Sequence, residues 1–383
     1  MFQTWLVIIT WLILAGAAAT VIYAVLHATP GIIGPEDSGL DVVQIVLAVM
    51  AGLGAVLLGV YAYRRQRLQE VASARDDQAQ FLERYNAATS QLADDKAAAR
   101  LAGIYAMARL ADDWPDQRQQ CVDVLCAYLR MPPAAAEGDP EVRTTIARVI
   151  ADHLKKDNPG VSWSELDFNF DRAQFHNLDM SGVVFNGHKV TFQGAEFSGI
   201  TTFEDSVFNT DLRFHDATFN GSCLTFNSTA FKGASSSFLR TTFNSNATFF
   251  ALAKFTGDKV DFSRTKFNNV VLTFHASRFD TTHTLFYGAT FSSDPNFSGT
   301  VFNGHTEFKH SRFAGDRATF DEAIFSGKSH SFKNVLVYAC HMTFDNVPAK
   351  ENTSLTGLDT ARLVEGSKIT KNGRPFEGWN RKS

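Results

Sequence analysis

The sequence predicts an α+β protein, with apolar and helical segments at the N-terminus followed by a β-solenoid. Three observations predict it. Thirty-one of the 34 phenylalanines lie between Val161 and Val347, and they recur at steps alternating between five and six or seven residues. Two stretches free of Lys, Arg, Asp and Glu occupy residues 4–27 and 42–63. Between Arg64 and the first phenylalanines the chain is rich in Ala, Gln, Arg and Leu, with helical spacing of its apolar residues.

From Phe192 the ladder runs Phe197, Phe203, Phe208, Phe214, Phe219, Phe226, Phe231, Phe238 and Phe243, and it continues in the same rhythm to Phe344. Neither the 3.6 period of a helix nor the simple alternation of a strand produces this spacing, and sandwich strands do not keep it over such a length. Two positions before the second Phe of each pair stands a small residue: Ala173, Ala195, Ser206, Ala217, Thr229, Thr241, Ala253, Thr265, Ser277, Ala289, Thr300, Ser311 and Ala323. A step of two puts both side chains on one side of an extended segment. After the second Phe come turn formers, as in Asn186-Gly187, Asn220-Gly221, Asn303-Gly304 and Ser326-Gly327, so the sequence places its turns there. A chain that runs extended, bends, and always turns the same side chain inward coils into a solenoid. No rung buries its Phe alone, so the domain is stable only as a stack of rungs about 4.8 Å apart.

The run resembles a pentapeptide-repeat domain, in which a central Leu or Phe and a small residue two positions earlier define each face of a right-handed four-sided β-helix. The stretch VTFQGAEFSGITTFEDSVFNTDLRFHDATF departs from the plain five-residue unit by adding one or two residues at every second face. Two pairs then make one coil of roughly 23 residues, which gives about seven coils and an array on the order of 35 Å long. With the segments before it, the chain resembles the membrane-anchored pentapeptide-repeat proteins of bacteria, and that resemblance implies no defined biochemical activity.

Both charge-free stretches are long enough to cross a hydrocarbon core of roughly 30 Å. A cleavable signal peptide is the rival reading of the first, against which stand its length and the lack of Lys or Arg before it. The loop between them carries Glu36, Asp37 and Asp41 and no basic residue, whereas Arg64, Arg65 and Arg67 follow the second stretch. The positive-inside bias then places the bulk of the chain in the cytoplasm, below a two-span, multi-pass membrane anchor. Ala51, Ala55 and Gly59, like Ala15 and Ala19, recur every four residues, which permits close packing within the hairpin or a homodimer through the helices.

The expected organisation is therefore 1–63, two transmembrane helices with a short external loop; 64–160, a helical stalk and bundle; 161–347, the β-helix; and 348–383, a cap or tail. Residues 64–112 read as helix, with a heptad register from Leu68 through Arg75, Leu82 and Thr89 that suits either a coiled coil or a stalk packed on its own body. Shorter amphipathic helices follow, with apolar faces at Leu101, Ile104, Tyr105 and Ala108, then at Val122, Leu125, Cys126 and Leu129, and then at Val142, Ile146, Val149, Ile150 and Leu154. The last of them is expected to cap the open end of the solenoid, because a bare terminal rung exposes strand edges and Phe.

Composition narrows the function. The formal net charge is −4 over 383 residues, and residues 161–347 carry 18 Asp and Glu against 15 Lys and Arg. Pentapeptide-repeat proteins that mimic duplex DNA and bind type II topoisomerases need a strongly acidic surface, so a membrane-tethered mimic is the second reading. The balanced charge also disfavours nucleic acid as a partner. Cys121, Cys126, Cys223 and Cys340 lack zinc spacing, the histidines are scattered, and no phosphate loop, nucleophile elbow or dinucleotide fingerprint occurs. Two acidic pairs, Glu204-Asp205 and Asp321-Glu322, are the residues an enzyme of polysaccharide-cleaving type would use, and His305, Glu307 and Lys309 share an outward run. Solvated surface is the simpler reading of all of these. The sequence expectation is a non-catalytic scaffold without cofactor, metal or catalytic residues, held on the bilayer and presenting a rigid β-helix to an unidentified protein partner.

Overall fold

The computed structural model describes residues 16–25, 28–29, 39–133, 137–158, 160–327, 329–338, 340–348, 355–364 and 367–375. The chain divides into two units, Met1–Leu82 and Glu83–Ser383. Residues 16–25 are helical, and α1 runs unbroken from Gly39 to Leu92. Among the described residues no helix is long and apolar enough to cross a membrane. The expected two-span hairpin therefore finds no support there. Much of the first stretch, residues 4–15 and 26–27, lies outside the described residues, and the second forms the start of a helix that continues through Arg64, Arg65 and Arg67. In the unit of residues 1–82, Leu68 of the heptad register is exposed, as are Val56, Leu57, Leu58 and Val60.

The helix expected over 64–112 is interrupted. Residues 93–96 leave helical geometry, with Asp94 Oδ1 accepting the Lys96 amide at 2.8 Å, and α2 spans Ala97–Asp113. A side-chain acceptor that offers the backbone a local alternative is a known helix breaker. α2 buries Ile104, Met107, Ala108 and Ala111, while Tyr105, expected on the buried face, is exposed and accepts a hydrogen bond from Arg148. α3 (Arg118–Arg130) and α4 (Asp139–Leu154) bury the expected apolar residues, Val122, Leu125, Cys126 and Leu129 and then Val142, Ile146, Val149, Ile150 and Leu154.

Both α3 and α4, and not α4 alone, close the first coil. Gln119 exchanges hydrogen bonds with Asp167 at 2.9 and 3.0 Å, and Arg130 donates to the Asn169 carbonyl at 3.1 Å. Trp163 stacks on His153 with ring centroids 3.9 Å apart, while Asp112 accepts from the Trp163 indole at 2.9 Å. Arg143 and Asp139 form a buried pair at 2.7 Å, and Arg143 also donates to the Leu129 and Met131 carbonyls. Each guanidinium nitrogen thus reaches an acceptor, as a buried cation requires.

The solenoid contains four columns of rings along its interior. One column is Phe170, Phe192, Phe214, Phe238, Phe262, Phe286, Phe308 and Phe332, stacked at 4.6–5.2 Å. Eight rings mean about eight turns, one more than the sequence count. The second column starts at Phe175, the third at Met180 and Phe203, and the fourth at Phe185. Rings of the first and third columns meet edge to face across the core, as Phe250 and Phe262 do at 5.8 Å and 88°, the arrangement favoured by the ring quadrupole. Phe249 is the exception and is only half-buried, in a row it shares with Thr225 and Thr273.

All thirteen small residues of the ladder are fully buried. Where they carry a hydroxyl it has a partner: Thr229, Thr241, Thr265 and Thr300 donate to the Phe203, Phe214, Phe238 and Phe274 carbonyls of the preceding coil at 2.7–2.8 Å. Buried hydroxyls without such acceptors would be costly.

The tight turns lie elsewhere than expected. They fall between the first Phe of each pair and the small residue, whose amide returns to the Phe carbonyl, as Ala173 does to Phe170 and Ala195 to Phe192. The third residue of each turn has positive φ, and in most coils it is not glycine: Arg172, Asp205, Asp216, Leu252 and Glu322 adopt φ of 55–59°. Left-handed backbone costs a side-chain-bearing residue roughly 1–2 kcal/mol. Here each amide also bonds the next coil, for example Arg172 N to Gln193 O at 2.8 Å, so the neighbours hold the turn. Leu252, 55% exposed at this position, is the least suited to it. Leu252→Asn is expected to raise stability by roughly 1 kcal/mol, since Asn tolerates this region; a thermal melt with a lowered midpoint would count against the strain argument.

The glycines after the second Phe serve close approach instead. A Cβ on Gly221 would lie 1.9 Å from the Gly199 carbonyl oxygen of the coil before, so any side chain there would push two coils apart.

Parallel pairing continues beyond Val347, where a cap or tail was expected. Leu355–Thr356, Arg362–Leu363 and Lys368–Lys371 pair in register with His330–Ser331, Leu336–Val337 and His341–Thr343. Arg374–Pro375 then folds back antiparallel. Residues 376–383 lie outside the described residues.

Candidate interaction surface

The inward columns fix which residues face out, and the outward residues form four long faces. Face one carries the sheet from Gln174–His176 to Arg362–Leu363, and face two the sheet from Ile200–Thr202 to Lys368–Lys371. Faces three and four, beginning at Val184–Phe185 and at Phe168–Asn169, join into one sheet because Lys254–Asp261 and Arg278–Leu285 run as single strands across the corner between them.

Many outward polar groups hold the coils together. Asp167 accepts the His188 and Lys189 amides at 2.6 and 2.9 Å, Asp294 accepts those of Asp316 and Arg317, and Asp211 accepts that of Ser235. One corner bears an amide ladder, Asn268 to Asn244 and Asn244 to Asn220, each 2.9 Å. Corner carboxylates thus satisfy backbone donors that the bend leaves unpaired, and the amides bond to one another from coil to coil.

The acidic pairs singled out in the sequence share this setting. Glu204-Asp205 and Asp321-Glu322 are the two central residues of their turns, with positive φ at Asp205 and Glu322. Asp321 accepts the Asp345 amide at 2.9 Å and faces Arg317 at 3.5 Å. His305 lies 3.6 Å from Glu307 on face four, with Lys309 in contact with the same carboxylate from the adjoining turn. His283 meets His305 edge-on at 5.6 Å. Beside them, a groove of about 600 Å³ runs along the corner between faces three and four, lined by Asp280, Thr281, His283, Asn303 and His305. Among the described residues no group of three or more His, Cys, Asp and Glu is placed to hold a metal.

Three of the four cysteines are buried. Burial pushes the Cys121 thiol up to about 11, and those of Cys126 and Cys340 to about 12, which leaves them protonated and unreactive at neutral pH. Cys223 is half-exposed on face two.

His330 was one of the scattered histidines and turns out to be a core residue. It is fully buried at a position held by Val190, Leu212 and Val260 in earlier coils, edge-on to Phe325. Its Nε2 meets the Gly327 carbonyl at 3.1 Å, and Nδ1 has no partner among the described residues. Burial lowers its pKa to about 4. Above about pH 7 both folded and unfolded chains hold it neutral. As pH falls through the ordinary value near 6.5, the unfolded chain takes a proton that the folded chain refuses until about pH 4. Stability is therefore lost across that window, by up to about 3 kcal/mol. Urea midpoints for wild type and His330→Leu are expected to converge toward neutral pH and to diverge on acidification; parallel curves would remove the assignment.

Charge is segregated although its sum is not. In the coils from Leu239 to Tyr338, face one carries Lys266 and Arg312, the turns leading into it carry Arg240, Arg264, Lys309 and Lys333, and neither carries a carboxylate. Arg240 is neutralised by Asp216 of the preceding coil at 2.7 Å. Arg264, Lys266, Arg312 and Lys333 have no ion pair among the described residues, and Arg312 lies 4.6 Å above the Tyr338 ring. Across the core, the turns leading into face three carry Asp321, Glu322 and Asp345 in the last coils, whereas its strands carry Lys254 and Arg278 in earlier ones. A net charge summed over the domain hides this division.

Residues 170–218 and 286–329 match the family model described as pentapeptide repeats (9 copies). No curated protein and no solved structure matches the chain.

Proposed function

We propose that this protein, whose solenoid is built of pentapeptide repeats, is a non-catalytic scaffold tethered to a membrane, with the solenoid on the cytoplasmic side and its faces offered to protein partners. The observation that carries this reading is the division of labour within each coil. Phe and small residues fill the interior, corner carboxylates and amides tie coil to coil, and the side chains left over form flat faces about 38 Å long. A stiff array of in-register strands suits an extended binding surface.

Support for the tether comes from the charge-free stretches at 4–27 and 42–63 and the basic residues that follow them. Val56, Leu57, Leu58 and Val60 also stand exposed on α1, and such a run of exposed apolar side chains suits an apolar surrounding. The test is flotation of the full chain with neutral phosphatidylcholine vesicles, followed by crosslinking in native membranes. A protein that floats and yields the same partner from independent preparations fits the scaffold. Failure to float removes the tether, and absence of any specific crosslink to the solenoid removes the scaffold.

A further inference from the structure

We propose that the C-terminal half of face one docks on an anionic lipid surface, which deepens the tethered-scaffold reading and rests on it for proximity to a bilayer. Strand register sets Lys266, Thr290, Arg312, Leu336 and Arg362 side by side in one row. Cations thus recur at every second coil, about 9.6 Å apart, on a flat surface that matches a plane of headgroups better than the curved backbone of a duplex. Arg264 and Lys333 flank the row, also without ion pairs among the described residues. Tyr287 and Tyr338, 40% and 41% exposed, stand among these cations, and tyrosine rings settle at the headgroup level of a bilayer. In the last two of these coils the turns leading into the opposite face carry Asp321, Glu322 and Asp345. An anionic surface repels that side, so the two faces together set one orientation and leave face three toward the solvent for a protein partner. Basic residues near an anionic leaflet each strengthen attachment, and the effect decays within a Debye length.

The test uses the full chain with Cys223→Ser, because the other three thiols are buried. An environment-sensitive dye is attached through Asn268→Cys on face one or through Ser326→Cys beside face three. The protein is reconstituted with vesicles of phosphatidylcholine alone, or with about one third phosphatidylglycerol. The expected result is a blue shift at position 268 on the anionic vesicles only, reversed by roughly 0.5 M salt and absent at position 326. Combining Arg264→Gln, Lys266→Gln and Arg312→Gln is expected to abolish the shift while the thermal midpoint stays unchanged. An identical dye response on both lipids, or equal shifts at 268 and 326, overturns the proposal. So does a shift on neutral vesicles produced only by an added acidic polypeptide or duplex DNA, which reassigns the face to that partner. Flotation with neutral vesicles reports the tether separately, so loss of one reading is distinguishable from loss of the other.

Discussion

Phe262→Ala is expected to destabilise the solenoid by about 3–5 kcal/mol, the usual cost of removing a fully packed ring from a core that cannot collapse. Phe262 is stacked on Phe238 at 4.7 Å and on Phe286 at 5.0 Å, and it meets Phe250 and Phe274 edge-on at 5.8 and 5.7 Å. Backbone ladders keep the coils at strand spacing, so the cavity stays open. Phe344, near the end of its column, is stacked only on Phe320 among the described residues, at 5.0 Å. Phe344→Ala should therefore cost less. Urea denaturation followed by circular dichroism reads both. Equal losses at the two positions would mean that stacking along the column does not set stability.

A comparable loss is expected from a smaller change. A Cβ added to Gly304 would lie 1.7 Å from the Thr281 carbonyl oxygen and 2.7 Å from that of Thr282, which is backbone and cannot rotate away. Gly304→Ala must separate two coils at the corner, breaking the register that aligns His283 with His305, and should cost about 3 kcal/mol or more. Gly182 is the matched control. Its φ is +66°, but nothing lies within 4 Å of the added Cβ, so Gly182→Ala carries only the left-handed penalty of roughly 1–2 kcal/mol. Should the two variants melt together, conformation and not contact is what these glycines supply.

The aromatic interior was legible in the sequence because it is a one-dimensional signal. Each Phe and each small residue occupies a fixed offset, and burial follows the offsets. What was hidden depends on neighbouring coils. Arg172, Asp205 and Glu322 do not look like left-handed residues, and they adopt that conformation because the coil above binds their amides. The ninth, partial turn was missed because no Phe recurs there: by register Leu355 follows His330, Leu363 follows Val337 and Ile369 follows Met342, while the strand pairing continues. The helix break at 93–96 arises from a single acceptor, Asp94. The basic face is invisible to composition, since Lys266 and Arg312 are 46 residues apart in the chain and become near neighbours only through register.

The acidic pairs illustrate the reverse. They stand out in the sequence, yet each lies across the centre of a turn, and Asp321 is engaged by the Asp345 amide. Partner recognition therefore falls to the side chains at the face centres, which neither the interior nor the corners use.

The measurement that tests this most directly compares two full-length variants in crosslinked native membranes. One removes charge from the strand centres of face three through Lys254→Gln and Arg278→Gln. The other changes an interior residue conservatively, Phe297→Leu. If outward faces carry the function, the first loses its crosslinked partner with little change in the melting midpoint, and the second melts earlier but keeps the partner while folded. Retention of the partner by the face variant, with its loss in a folded interior variant, would contradict the account.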